Sequence, residues 1–188
     1  MRKIIAVIGD GKIEQDGIKY RLAFETGKAL VNAGYRVQSG GLGGVMEAVF
    51  LGAKASEKYR DGDTIAIIPS FDRASVNQYA DIVIPTGLDI MRNVLIANAD
   101  AVIAIGGGAG TLSEMALAWS LHRLLIAYRN VDGWSAELAG RKIDNRERYK
   151  NIDDKVYGIA NPQQAVKLIE RLLVIYTKYH HGIKYKND

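Results

Sequence analysis

A short apolar segment of the chain runs directly into a glycine turn and then into a helical pattern: Ala101-Val102-Ile103-Ala104-Ile105, then Gly106-Gly107-Gly108-Ala109-Gly110, then Thr111-Leu112-Ser113-Glu114. Apolar residues without polar alternation predict a strand that is buried on both faces. A helix that follows such a strand directly is typical of parallel sheets covered by helices. This junction therefore predicts one strand-helix unit of an α/β fold.

The same alternation of strand and helix runs through the rest of the chain. Further short strands are predicted at residues 4–8, 35–38, 64–68, 82–84 and 124–127. Between them lie stretches of helical period, one of which should end at Gly34. A last helix is predicted to begin at Asn161-Pro162-Gln163-Gln164, which offers an N-cap, a proline at the first helical position and a capping-box glutamine. Its apolar stripe is predicted to extend to Ile175.

The pattern as a whole predicts a single doubly wound, mostly parallel sheet with helices on both faces, that is, a Rossmann-like fold. We expect residues 1–180 to form one nucleotide-binding domain and residues 181–188 to form a basic C-terminal tail. The segment 132–154 is the least regular part, and we expect a short helix and a surface loop there.

Composition excludes several classes of protein. The 188 residues are 48% apolar and 24% charged, which is typical of a globular domain. The absence of cysteine excludes disulfides, thiolate metal sites and a cysteine nucleophile, and three histidines leave almost nothing for a histidine-built metal site. The apolar run after Met1-Arg2-Lys3 spans about five residues, too few for a signal peptide or a membrane span. We therefore expect a cytoplasmic protein without a metal or a membrane partner.

The positive charge is concentrated towards the C-terminus. The net charge is +4, and residues 141–188 contribute 11 − 6 = +5 whereas residues 1–140 contribute 14 − 15 = −1. A basic terminus of this kind is usually solvated, so nucleic acid is the weakest of the partners that we consider.

Two glycine turns are the strongest functional signal. The first is Gly40-Gly41-Leu42-Gly43-Gly44, and the second is the turn at 106–110 described above. Glycines let backbone N–H groups approach a phosphate closely, and the helix that follows adds its unpaired N–H groups and the positive end of its dipole. The hydroxyl of Thr111 adds a further donor. Neither turn carries the lysine of an ATPase loop, so ATP hydrolysis is not indicated.

Four charged residues near these turns have both structural and functional interpretations. Thr111 and Glu114 have the spacing of a capping box, but Glu114 could instead lie ionised beside a bound ribose. Arg92 could be a solvated surface residue or a partner of a phosphate. Glu47 could be a first-turn dipole partner or a site carboxylate, whereas Asp100 is expected to be a cap or turn residue.

The two motifs resemble those of the LOG superfamily. They are Gly40-Gly41-Leu42-Gly43-Gly44-Val45-Met46-Glu47-Ala48 and the segment from Gly106 to Glu114. The similarity extends over about residues 3–128 and, more loosely, over the last helix. This superfamily includes nucleoside 5′-monophosphate phosphoribohydrolases, proteins mislabelled lysine decarboxylases and molybdenum-cofactor carrier proteins, and it is distantly similar to the DprA/Smf proteins. No lysine lies in a setting suited to a Schiff base, so decarboxylation is not indicated.

The sequence departs from the phosphoribohydrolase motifs at several positions. Gly106 replaces a proline and Ser113 replaces a glutamate, while Glu114 matches the catalytic glutamate. The upstream motif is reduced to Met91-Arg92-Asn93, without its histidine and lysine. The versions of the motifs in this chain look more like those of the carrier-protein branch.

The resemblance implies two functions for one site. The first is hydrolysis of the N-glycosidic bond of a nucleoside 5′-monophosphate, with Arg92 and Glu114 as catalytic residues and no cofactor or metal required. The alternative is a non-catalytic carrier of a phosphorylated pterin, the molybdenum cofactor. The implied ligand-binding residues are Gly40, Gly41, Gly43, Gly44, Met46, Gly106, Gly107, Gly108, Gly110 and Thr111. The resemblance also implies a homodimer or a higher homo-oligomer.

Overall fold

The computed structural model describes residues 1–150 and 152–180, and the tail predicted at 181–188 lies outside the described residues. The strands are β1 (Ile4–Gly9), β2 (Arg36–Ser39), β3 (Thr64–Ile68), β4 (Ile82–Pro85), β5 (Ala101–Ile105), β6 (Leu124–Tyr128) and β7 (Tyr157–Ile159). The α-helices are α1 (Ile18–Asn32), α2 (Val45–Lys54), α3 (Asn93–Ala97), α4 (Ala109–Ser120), α5 (Trp134–Leu138) and α6 (Pro162–Leu172), and short 3₁₀ turns lie at Arg73–Ser75 and Asp89–Arg92.

These seven strands form one parallel sheet in the order β4-β3-β2-β1-β5-β6-β7. The chain builds the sheet outward from β1 to β4, then crosses back to place β5 beside β1 and continues in the other direction. The strand order therefore reverses between β1 and β5, where the loops after the two strands diverge and leave a crevice. The predicted doubly wound α/β fold is confirmed.

Two apolar layers cover the sheet because successive side chains of a strand point to opposite faces. On one face Ile5 and Val7 of β1 pack with α1, α2 and α6. On the other face Ala6 and Ile8 pack with the buried side chains of α3 and α4. Both faces of β1 and β5 are thus closed to water, which explains their continuous apolar sequences.

Three sequence predictions need correction outside the site. The strand β7 was not predicted, because Tyr157-Gly158-Ile159 is only three residues long and has a glycine at its centre. The segment 132–154 is only partly a surface loop, since Arg148 within it is 2% exposed and pairs with the buried Asp154. The helix α6 ends at Leu172, so Ile175 lies beyond it and is partly exposed.

Candidate functional site

A cleft of about 210 Å³ opens at the carboxyl ends of β1, β2 and β5, where the strand order reverses. Both glycine turns border it. Its lining includes seven of the residues that the sequence analysis selected: Gly40, Met46, Arg92, Gly108, Gly110, Thr111 and Glu114. The other selected glycines shape the turns around the cleft.

Close packing requires the glycines of the first turn. A Cβ atom on Gly40 would lie 2.7 Å from Nη1 of Arg92 and 2.6 Å from the sulfur of Met46. Gly41 and Gly44 have φ of +73° and +68°, a conformation that L side chains rarely adopt. At Gly44 the backbone passes so close to Asp10 that Val45 donates its N–H to the Asp10 carbonyl, at 2.9 Å.

The second turn leaves open space above the start of α4. Gly106 and Gly107 have φ of +65° and +98°, whereas Gly108 and Gly110 would place a Cβ atom in free space. The helix begins at Ala109, so the backbone N–H groups of its first turn have no partner within the helix. These N–H groups and the positive end of the helix dipole make the turn suitable for an anion.

The predicted capping box is wrong. The N-cap of α4 is Gly108, without a side-chain cap, and Thr111 already lies inside the helix as a buried residue. Glu114 is the sixth residue of α4, beyond the first turn in which a carboxylate could reach back to the cap. The helix begins earlier than predicted because the flexible Gly108-Ala109-Gly110 backbone itself adopts the first helical turn.

Arg92 is buried and faces the cleft. Its side chain leaves the 3₁₀ turn Asp89–Arg92, and the residue is only 9% exposed, which excludes the solvated interpretation. Among the described residues, its buried Nε and Nη1 atoms have no hydrogen-bond partner. Burial lowers the pKa of the guanidinium, against the opposing effect of Glu114. A buried cation with unused donors is costly unless an anion binds to it.

Glu114 is the closest charged neighbour of Arg92 in the cleft. Its Oε1 lies 3.7 Å from Nη1 of Arg92, too far for a hydrogen bond. Burial raises the pKa of this carboxyl to about 7, although Arg92 acts in the opposite direction. Because Glu114 is the sixth residue of α4, the dipole at the helix N-terminus has only a weak effect on its carboxyl.

Asp10 and Lys19 brace the cleft, and the sequence analysis missed both. Asp10 Oδ2 accepts hydrogen bonds from the Gly107 N–H at 3.0 Å and from Lys19 Nζ at 2.7 Å. Lys19 also pairs with Asp132, at 3.0 Å. This network ties the loop after β1 to the loop after β5. The sequence signal was an aspartate directly after a buried strand, in Gly9-Asp10-Gly11.

Two further hydrogen-bond networks hold the second turn and the start of α4. Ser135 Oγ accepts from the Gly106 N–H and donates to the Tyr128 carbonyl, each at 2.8 Å. The Asn93 side chain donates to Ser113 Oγ at 2.8 Å, and Ser113 donates to the Gly110 carbonyl at 2.7 Å. Ser113 therefore links α3 to the first turn of α4 and holds the side chain of Asn93, the residue after Arg92, in place.

The remaining predictions for charged residues have separate outcomes. Asp100 accepts the Ile4 N–H through Oδ2 at 2.9 Å and pairs with Lys3, so it is a turn residue that fixes the start of β1. Glu47 lies in the first turn of α2, outside the cleft, where it lines a neighbouring cavity. Within residues 1–150 and 152–180, no helix has both the length and the apolar character needed to cross a bilayer.

A parallel α/β sheet with a cleft at its switch point defines a Rossmann-like protein. The family comparison is more specific. Residues 2–166 match the SLOG cluster4 family, and the chain belongs to that family. The resemblance to the LOG superfamily and to its carrier and DprA relatives is thereby confirmed.

Comparison with individual proteins identifies similar chains. A protein of Archaeoglobus fulgidus is 42% identical over 115 residues, which are 61% of this chain and 72% of that protein. The molybdenum cofactor binding protein of Rippkaea orientalis is 32% identical, with 92% of this chain and 98% of that chain covered and a TM-score of 0.75. The molybdenum cofactor carrier protein of Chlamydomonas reinhardtii is 26% identical, with 92% and 99% covered and a TM-score of 0.73.

A more distant structure shares the fold alone. DNA processing protein A of Helicobacter pylori is 17% identical, with 95% of this chain and 82% of that chain covered and a TM-score of 0.63.

Proposed function

We propose that the protein binds a phosphorylated pterin of the molybdenum-cofactor type and carries it without chemical change. The observation that carries this proposal is the buried Arg92, which has unpaired N–H donors and lines a glycine-bordered cleft at the start of α4. A phosphate at that place would receive hydrogen bonds from the guanidinium and from the first turn of the helix. The similarity to the Rippkaea orientalis protein favours a carrier over a hydrolase.

The size of the cleft supports a phosphate subsite rather than a pocket for a whole ligand. Sites for drug-sized molecules usually enclose about 300–1,000 Å³, whereas this cleft encloses about 210 Å³. The ring system of the ligand would therefore extend beyond the cleft. A carrier suits such a site, because its ligand has to be transferred onward.

Hydrolysis of a nucleoside 5′-monophosphate is the second candidate, and the buried Glu114 favours it. With a pKa of about 7, this carboxyl exists in both protonation states near neutral pH. The ionised form could stabilise the positive charge that develops on a sugar as its N-glycosidic bond breaks, while Arg92 orients the phosphate. This route needs no cofactor.

Replacing Arg92 tests the carrier function. The protein would be purified from cells that make the molybdenum cofactor, and bound pterin would be measured by its fluorescence after oxidation. We expect pterin with the wild-type protein and at least a tenfold loss with Arg92→Gln, since charge-assisted hydrogen bonds are lost. Arg73→Gln, at an exposed arginine, is the matched control. Equal pterin content in Arg92→Gln would contradict the proposal.

The hydrolase is tested with the same preparations. They would be incubated with nucleoside 5′-monophosphates, and the free base would be measured by chromatography. We expect no release. Release that disappears with Glu114→Gln would establish the hydrolase instead.

We further propose a homodimer that forms through the surface beside the site. Ile90 and Met91 of the 3₁₀ turn are 62% and 71% exposed, and Val94 and Leu95 of α3 are partly exposed next to them. Large exposed apolar side chains in one patch are typical of a protein interface. Sedimentation equilibrium of the wild-type protein and of Met91→Lys would test this.

A further inference from the structure

A second cavity, of about 350 Å³, adjoins the phosphate cleft. Its polar lining comes from Glu47, Tyr20, Tyr79 and Gln15, and its apolar walls come from Ile13 and Leu51. Gly44 lines this cavity and packs directly on Gly11, which lines the cleft, since a Cβ on Gly44 would lie 2.6 Å from the Gly11 carbonyl carbon. The two spaces therefore border each other at Gly11 and Gly44.

Glu47 is the charged group of this second cavity. It is half-buried in the first turn of α2, and within the described part of the chain it has no ion pair and no side-chain hydrogen bond. Both carboxylate oxygens are therefore able to accept hydrogen bonds from a ligand.

Two tyrosines accompany this carboxylate. Burial raises the pKa of Tyr20, and the nearby Tyr79, Glu47 and Asp16 add to the effect, so its phenol is neutral. Aromatic rings beside a lone carboxylate are suited to a flat heterocycle that presents N–H groups along one edge.

We propose that this cavity, defined by Tyr20, Glu47 and Tyr79, is the subsite for the ring of the ligand and selects a 2-amino-4-oxopyrimidine edge. The adjacent ring N–H and amino group of that edge match the two oxygens of one carboxylate. Pterins and guanine share this edge. The inference rests on the proposed function, because the phosphate of the same ligand occupies the cleft beside Arg92.

Other bases fit this subsite less well. Hypoxanthine lacks the amino group and leaves one Glu47 oxygen without a partner. Adenine presents a ring nitrogen acceptor to the carboxylate where guanine presents an N–H donor. Sites built for a hydrogen-bonding edge reject analogues that lack it, because buried polar groups are then left unpaired.

Binding of three nucleotides measures this selectivity. Dissociation constants for GMP, IMP and AMP would be measured by isothermal titration calorimetry, together with that for pyrophosphate. We expect GMP to bind about tenfold more tightly than IMP, and AMP most weakly. Glu47→Gln should reduce the preference for GMP over IMP to less than about threefold, because an amide offers only one acceptor. Pyrophosphate binding should be unchanged.

Two controls accompany this experiment. One tests whether the loss of any carboxylate changes binding, and the other tests whether the subsite binds a pterin or guanine. Glu25→Gln removes an exposed carboxylate of α1 and should leave every constant unchanged. Unphosphorylated 6-hydroxymethylpterin should displace GMP from the wild-type protein, and its own affinity should fall about tenfold in Glu47→Gln. Displacement of GMP by guanosine but not by the pterin would show that the subsite binds guanine rather than a pterin.

The outcomes distinguish this inference from the function on which it rests. If pyrophosphate binds but the three nucleotides bind equally, with or without Glu47, the subsite is wrong and the phosphate site stands. If no phosphate compound binds, the proposed function fails. In that case only the binding of 6-hydroxymethylpterin tests the subsite. The subsite is supported if this binding is weaker in Glu47→Gln, and it is overturned if the binding is absent or unchanged in that variant.

Discussion

Arg92 and Glu114 form an unusual pair because neither side chain satisfies the other. The two groups are buried and lie 3.7 Å apart at their closest charged atoms, yet Arg92 keeps two donor atoms without a partner. A pair with a purely structural role would be expected to form a hydrogen bond, since breaking such a contact in a buried place is costly. The geometry instead leaves room for an anion against Arg92.

The buried Glu114 should make stability depend on pH. Its pKa is about 7 in the folded protein, against 4.5 for an ordinary glutamate, so the folded state binds more protons between these values. The free energy of unfolding should therefore fall as pH rises from 5 to 8, by up to about 3 kcal/mol from this group. Glu114→Gln stays neutral and should lack this decrease.

Urea denaturation of both proteins at pH 5 and pH 8 measures this effect. All other titrating groups are common to the two proteins and cancel in the difference. Parallel pH profiles would show that the carboxyl titrates normally in the folded state.

The start of α4 contains a glycine that lowers the stability of this helix. Gly110 is the second residue of this helix, and alanine is the better helix former by about 0.5–1 kcal/mol. A Cβ at Gly110 would meet no atom within 4 Å, but it would project from a residue that lines the cleft. The glycine is thus retained at a cost to the helix.

Gly110→Ala should consequently raise stability and weaken binding. We expect a gain of about 0.5–1 kcal/mol in the free energy of unfolding, with at least a tenfold loss of affinity for pyrophosphate. Ser120→Ala is the matched control, since it improves the exposed last turn of the same helix away from the cleft. A variant at Gly110 that binds pyrophosphate normally would contradict a phosphate site at this turn.

Elements with strong local signals were predictable from the sequence. The bounds of β3 and β5 agree with the prediction, and α6 begins as predicted, with the Asn161 side chain accepting the Gln164 N–H at 3.0 Å. The start of α4 was misplaced because a glycine-rich turn carries no cap signal of its own. The sequence placed both glycine turns at one edge, but the contacts of Asp10 with Lys19 and Gly107 depend on the assembled sheet.

At the scale of the whole molecule, the cleft and a stabilising cluster around Arg148 lie at opposite ends of the strands. Arg148 lies across the ring of Trp119, with its guanidinium carbon 3.5 Å from the ring centroid, and forms two hydrogen bonds to Asp154. Arg148 also donates a hydrogen bond to the carbonyl of Arg123, the residue before β6. This contact places Arg148 at the amino ends of the strands, whereas the cleft lies at their carboxyl ends. No local pattern predicts this pair, because Arg148 reaches Asp154 and the end of α4 only when the chain is folded.

Breaking this pair should destabilise the protein without altering its site. Asp154→Asn leaves Arg148 as a buried charge without its carboxylate, so we expect a loss of about 3–5 kcal/mol in the free energy of unfolding by urea denaturation. The double variant Arg148→Met with Asp154→Leu should recover most of it, since an apolar pair of similar volume removes both charges. Pyrophosphate should bind the folded single variant with unchanged affinity, because the cleft lies at the other edge of the sheet. A parallel loss of affinity would mean that the two edges are coupled through α4, whose first turn lines the cleft and whose last turn contacts Arg148.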